Sequence, residues 1–195
     1  MIGLDHRIQR WVVTHRVEAL DPVFTFLSRI GSLGLVWILL ALVATVLWRR
    51  PVVLAAVAAG VLSADLLALG LKIVGGRTRP YLANPEPEPL LSTPLDLSLP
   101  SGHSATSFAG AALLAAYAPR LAVPLLTLAA ANACSRVYVG VHYPLDIVAG
   151  ALLGLGVAAV LLWTLRFVRR PAGGVRLRPS LAEARRRSPR APRRG

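Results

Sequence analysis

A chain of 195 residues that is 55% hydrophobic and only 16% charged, with a mean hydropathy of +0.59, is long enough for one domain but too apolar for an ordinary soluble one. Its formal charge of +13 is unevenly placed, because residues 166–195 hold eleven Arg against one Glu, a net of +10. The single cysteine, Cys134, excludes an internal disulfide framework, and the early charges Asp5, His6, Arg7 and Arg10 argue against a secretory signal peptide.

The first thirty residues place Leu4, Ile8, Trp11, Val12 and His15 near helical spacing, with Arg7, Arg10 and Arg16 between them. This predicts an amphipathic helix, lying at a membrane surface or packed on a membrane domain. Asp21-Pro22 is expected to end it. Crossing ~30 Å of hydrocarbon takes roughly 20 mostly apolar residues. About five stretches qualify or nearly qualify: 31–48, 52–71, 103–118, 121–137 and 145–167. The third and fourth are short and rich in Ala. Between the second and third, residues 73–100 carry Pro80, Pro85, Pro87, Pro89, Pro94 and Pro100, and read as loop with at most a short helix. Residues 169–195 are Arg/Pro-rich without apolar periodicity and read as a disordered basic tail. Beside a membrane such a tail meets anionic lipids, and a nucleic-acid partner is not needed to explain it. The expected fold class is all-α, a polytopic membrane helical bundle of about five spans plus an N-terminal amphipathic helix. The expected organisation is an interfacial segment at 1–30, a membrane domain at 31–168 and the tail at 169–195.

The Lys/Arg bias sets orientation. Arg49, Arg50, Arg120, Arg166 and the tail all reach the cytoplasm if the five stretches alternate. The N-terminus and the 73–100 loop then face the outside of the cell membrane, and the C-terminus is cytoplasmic. Lys72, Arg77, Arg79 and Arg136 break this bias and need another explanation.

Those four cations fall in three patterns: Lys72 through Arg79-Pro80, then Pro100-Ser101-Gly102-His103, then Ser135-Arg136 through His142 and Asp146. All three are predicted at outer ends of spans. Lys72, Arg79 and Arg136 supply fixed positive charge, with the Arg forks suited to phosphate oxygens. Ser101 and Gly102 precede a predicted helix start, where free amides and the helix dipole favour an anion. The inventory makes a phosphate cradle without a metal. Asp146, four residues after His142, is placed to orient the imidazole and stabilise its charged form. His142 then suits a nucleophile and His103 a general acid.

In this order and around hydrophobic spans, the three patterns resemble the type 2 phosphatidic acid phosphatase (PAP2) family, over roughly residues 20–168. The resemblance implies a PAP2/haloperoxidase-like helical bundle with no cofactor and no metal. It implies that His142 forms a phosphohistidine, that Asp146 orients it, and that His103 protonates the leaving group. It implies phosphate binding by Lys72, Arg79, Ser101, Gly102 and Arg136. The expected substrate is a membrane lipid phosphate or diphosphate, either an isoprenoid diphosphate such as undecaprenyl diphosphate or a phosphatidic-acid-type lipid. A phosphotransferase using an alcohol acceptor shares the chemistry up to the intermediate. A non-enzymatic lipid-binding protein is disfavoured because both histidines are present. Elsewhere, Arg77 reads as a headgroup anchor, Asp65 as a buried hydrogen-bonding acid, and His6 and His15 as surface residues. Cys134 reads as core, and Trp48 and Trp163 as interfacial anchors.

Overall fold

The computed structural model describes residues 2–92 and 95–168, and among these residues it contains helices and turns but no strand. In chain order the helices are α1 (Ile2–Thr14), α2 (Asp21–Ile30), α3 (Leu35–Trp48), α4 (Pro51–Gly75), α5 (Pro80–Ala83), α6 (Gly102–Tyr117), α7 (Ala122–Tyr138) and α8 (Pro144–Val168). The segments Pro51–Ala83, Pro119–Tyr138 and Pro144–Val168 are long and apolar enough to cross a membrane. The α2–α3 pair, bent by 55°, makes a fourth if it is taken as one span. The remaining expected span, 103–118, corresponds to α6. Its 16 residues rise only about 24 Å, short of the ~30 Å of hydrocarbon. It is also an interior helix, burying nine residues from Ser104 to Leu114 against α4 and α7. Its Ala-rich composition suits that place, because small side chains let neighbouring backbones close in.

Helix ends follow local chemistry. Pro51 opens α4, where its missing N–H costs nothing. Gly76 closes α4 in the left-handed region (φ 57°), returning its amide to the Lys72 carbonyl at 3.1 Å. Ser101 caps α6, its hydroxyl accepting from the Ser104 amide, and Pro144 opens α8. Packing between helices rests on close backbone approach. A Cβ at Gly154 of α8 would stand 2.2 Å from the Ala105 carbonyl oxygen of α6. Outward-facing Leu39, Val46, Leu62, Leu66 and Leu152 remain exposed, which in lipid is the favourable arrangement.

The N-terminal region departs from the sequence expectation. Asp21-Pro22 does not end α1, which stops at Thr14; it opens α2, because proline suits the first turn of a helix. Helix α1 leaves Leu4, Ile8 and Trp11 exposed and buries Asp5, Gln9 and Val13. Between α2 and α3 the chain breaks at Gly31–Gly34, with Leu33 and Gly34 at positive φ (54° and 68°). A Cβ at Gly31 would lie 1.9 Å from Asn132 Nδ2, so only glycine lets α2 run this close to α7. Cys134 is exposed rather than core. Asn132, Ser135 and Arg136 occupy the inward face of α7 at positions i, i+3 and i+4, and position 134 falls off that face. The expected basic tail, 169–195, lies outside the described residues.

Candidate active site

Four helix ends meet at one end of the bundle: the C-termini of α4 and α7 and the N-termini of α6 and α8. They enclose a cavity of about 140 Å³ whose wall includes Lys72, Arg79, Gly102, His103, Arg136 and His142. Asp65 and Asp96 also line it. Asp65 is half-buried at the wall. Two sequence-predicted residues stand behind the wall. Asp146 backs His142, and the Ser101 hydroxyl is spent on capping α6 while its amide donates to the Asp146 carbonyl at 3.0 Å.

His142 lies in the turn between α7 and α8 and is 2% exposed. Its Nδ1 is 3.3 Å from Asp146 Oδ2, and its Nε2 is 3.2 Å from Arg79 Nη1. A guanidinium can only donate, so Nε2 is the acceptor and Nδ1 carries the proton toward Asp146. That tautomer leaves a lone pair on the nitrogen at the cavity. Burial pushes the imidazole down to about 4, and Arg79 and Arg136 add to the shift while the Asp146 hydrogen bond opposes it. His142 is therefore neutral at physiological pH. Asp146 also accepts from the Tyr143 amide at 2.9 Å.

His103 sits in the first turn of α6, its Nε2 3.3 Å from Ser32 Oγ on the α2–α3 break. The amides of Gly102 and His103 lie in the helix's first turn, where no intrahelical acceptor exists.

The cations differ in how they are balanced. Lys72 and Arg79 share Asp96: Lys72 pairs with Oδ2, and Arg79 Nη2 with Oδ1 at 2.5 Å. Arg79 Nη1 also donates to the Val141 carbonyl at 2.9 Å. Burial alone would raise the Asp96 carboxyl, but the hydrogen bonds from Lys72 and Arg79 outweigh it and hold the group below its ordinary range. Arg136, 5% exposed, has no carboxylate partner among the described residues. It donates through Nη1 to Ser28 Oγ, and its Nε has no partner among the described residues. A buried guanidinium without a counterion is costly, so the site is built to receive an anion.

Arg77 is not a headgroup anchor. Its side chain is 16% exposed and turned inward between two carboxylates, pairing with Asp5 Oδ2 and with Asp146 Oδ1, the latter at 2.8 Å. It lies 4.0 Å over the Tyr143 ring. His6 stacks on the other side chain of this cluster, Tyr143, at 4.3 Å, so it is not a bare surface residue. Asp5 also accepts from the Leu145 amide at 2.8 Å. Sequence reasoning passed over Asp5, Ser28, Ser32 and Asp96. The one available signal was an acid on an otherwise basic amphipathic helix, which by itself names no partner.

The family model described as the PAP2 superfamily matches residues 35–170. A decaprenylphosphoryl-5-phosphoribose phosphatase of Mycobacterium tuberculosis is 38% identical over 135 residues, covering 69% of this chain and 74% of that protein. An undecaprenyl-diphosphatase of Sulfolobus acidocaldarius is 31% identical over 159 residues, covering 78% of this chain and 74% of that protein. Among solved structures, a PAP2 type phosphatidylglycerolphosphate phosphatase from Bacillus subtilis is similar with a TM-score of 0.71 at 25% identity, covering 86% of this chain and 87% of that one.

Proposed function

From the premise that this membrane chain belongs to the PAP2 superfamily and is a phosphatase, we propose that it hydrolyses a lipid phosphate or diphosphate through a phosphohistidine on His142. An isoprenoid diphosphate such as undecaprenyl diphosphate, or a phosphatidic-acid-type lipid, is the substrate class. The observation that carries this reading is the shared cavity: His142, His103 and the three cations Lys72, Arg79 and Arg136 all line it.

The proposed chemistry draws on that geometry. Lys72, Arg79 and Arg136 bind the phosphoryl oxygens, together with the first-turn amides of α6. Nε2 of His142 attacks phosphorus, and the bond from phosphorus to the leaving oxygen breaks. His103 delivers its proton to that oxygen. Asp146 stabilises the imidazolium that develops on His142. Water, deprotonated by His103, then attacks the phosphohistidine, the P–N bond breaks, and phosphate leaves. Fixed cations do the charge stabilisation that phosphoryl transfer demands. The site faces the extracytoplasmic side, since that orientation leaves Arg49, Arg50 and Arg120 in the cytoplasm with the basic tail against anionic lipid.

The test is phosphate release by purified protein in detergent with a chelator present. Undecaprenyl diphosphate, phosphatidic acid and phosphatidylglycerophosphate are compared. His142→Ala is expected to lower kcat by at least about 10³-fold. Normal turnover by that variant removes the nucleophile, and loss of activity on chelation contradicts the metal-free route.

A further inference from the structure

Helix α1 presents three different faces. Each residue turns an α-helix by about 100°, so positions 4, 8 and 11 share one side, 5, 9 and 13 a second, and 7 and 10 a third. Leu4, Ile8 and Trp11 are exposed, whereas Asp5, Gln9 and Val13 are buried. Arg7 and Arg10 are exposed. The buried side runs along the connection between α7 and α8. Asp5 accepts from the Leu145 amide at 2.8 Å, His6 stacks on Tyr143 at 4.3 Å, and a Cβ at Gly140 would stand 3.7 Å from Val13 Cγ1. Just past the helix, Arg16 Nε donates to the Tyr138 carbonyl at 2.9 Å. A helix of 13 residues, about 20 Å long, that is held near both ends by this one connection lies along the rim of the bundle rather than down its side.

That rim is at the level of the membrane surface. Helix α8 and the segment Pro51–Ala83 are long and apolar enough to cross a membrane, and Asp5 bonds to Leu145 at the start of the first and to Arg77 just past the end of α4. With the protein on one side of α1, the other two faces are those of a helix lying in an interface, apolar with a tryptophan toward the acyl chains and cationic toward headgroup phosphates. The one acid of α1, Asp5, is turned inward onto Arg77, so the outward charge is positive. We infer that Leu4, Ile8 and Trp11 dock on the phospholipid surface at the active-site end, with Arg7 and Arg10 on its headgroups, and that this docking holds Asp5 on Arg77 and so steadies Asp146 and His142. Membrane contact thereby enters the catalytic geometry. The coupling rests on His142 as the nucleophile proposed above; the lipid-docking surface does not.

The experiment uses full-length protein in vesicles of phosphatidylcholine and phosphatidylglycerol. The difference in fluorescence between wild type and Trp11→Phe isolates Trp11 from Trp37, Trp48 and Trp163. Trp11 is expected to be quenched by lipids brominated near the headgroup end of the acyl chains and shielded from acrylamide in the water. Brominated lipid that leaves Trp11 unquenched overturns the surface: acrylamide quenching then places the stripe in water, and shielding from both places a second copy of the chain over it. The coupling is read from kcat at saturating lipid substrate, which substrate delivery does not limit. Leu4→Gln/Ile8→Gln removes apolar surface without losing helix propensity and is expected to lower kcat by roughly three- to fivefold. Asp5→Asn lowers it similarly, and the combined variant stays within about twofold of Asp5→Asn alone, since both act through one contact. Effects that multiply, or a double glutamine variant with unchanged kcat, overturn the coupling. Wild-type protein that releases phosphate from no lipid overturns the phosphatase reading and the coupling with it, while the fluorescence of Trp11 still decides the surface.

Discussion

Arg77 grips Asp146 by the carboxylate oxygen that His142 does not use. Arg77 Nη1 lies 2.8 Å from Oδ1, while Oδ2 faces His142 Nδ1 at 3.3 Å and accepts from the Tyr143 amide at 2.9 Å. Asp5 then closes on Arg77 and on the Leu145 amide. A chain of charge-assisted contacts thus runs from the first helix to the proposed nucleophile. Neither Arg77 nor Asp5 lines the cavity, so the role proposed for both is to position His142 through Asp146.

Arg77→Gln is accordingly expected to lower kcat by about tenfold or more, since a hydrogen bond between charged groups contributes roughly 1.5–3 kcal/mol. KM moves little. Asp5→Asn has a smaller effect in the same direction. Separate kcat and KM values decide the matter, and a raised KM with kcat intact places Arg77 in substrate binding instead.

Asp96 pairs with two of the cations that line the cavity. Its carboxylate neutralises Lys72 and Arg79, the groups proposed to hold phosphate, and its lowered pKa keeps it charged. Asp96→Asn is expected to tighten competitive inhibition by inorganic phosphate by roughly tenfold, the worth of one charge-assisted contact. Inhibition constants measured on both proteins check this. Weaker inhibition in the variant assigns Asp96 to holding the cations in place.

The pH dependence follows from His142. Its imidazole titrates near 4 in the folded protein against about 6.5 in an unfolded chain. Between those values the unfolded state binds more protons, so the His142 contribution makes stability rise with pH across that window and fall on acidification. For activity, the proposed nucleophile stays neutral down to about pH 4. The acid limb of kcat/KM on a lipid phosphate is expected near that value, after correction for ionisation of the substrate itself. A His142 limb near 6.5 contradicts the buried, Arg-flanked setting.

Packing of α6 on α8 is expected to be intolerant of added volume. A Cβ at Gly154 meets the Ala105 carbonyl at 2.2 Å and the Ala109 amide nitrogen at 2.9 Å, both backbone atoms that cannot rotate away. Gly154→Ala should cost about 1–3 kcal/mol and lower the melting temperature in detergent. Gly156→Ala, with nothing within 4 Å of its added carbon, is the control.

Much of the helical frame was legible in the sequence, because apolar run length and helix punctuation are local properties. Pro51, Gly76, Ser101 and Pro144 act within a turn of where they stand. The three polar patterns were legible for the same reason: each brings its own chemistry within a few residues. The interior place of α6, the start of α2 at Asp21 and the exposure of Cys134 were not. Each depends on which neighbour covers a given face, and composition does not say.

By itself, then, the sequence determined the membrane character of the chain and the residue types from which a phosphate site is made. Only the tertiary structure decided that Arg77 turns inward and that Asp96 and Asp5 balance the cations. The physical reason is distance along the chain. Asp5 reaches Leu145 across 140 positions and Ser28 reaches Arg136 across 108, and contacts of that kind leave no periodicity or spacing to read.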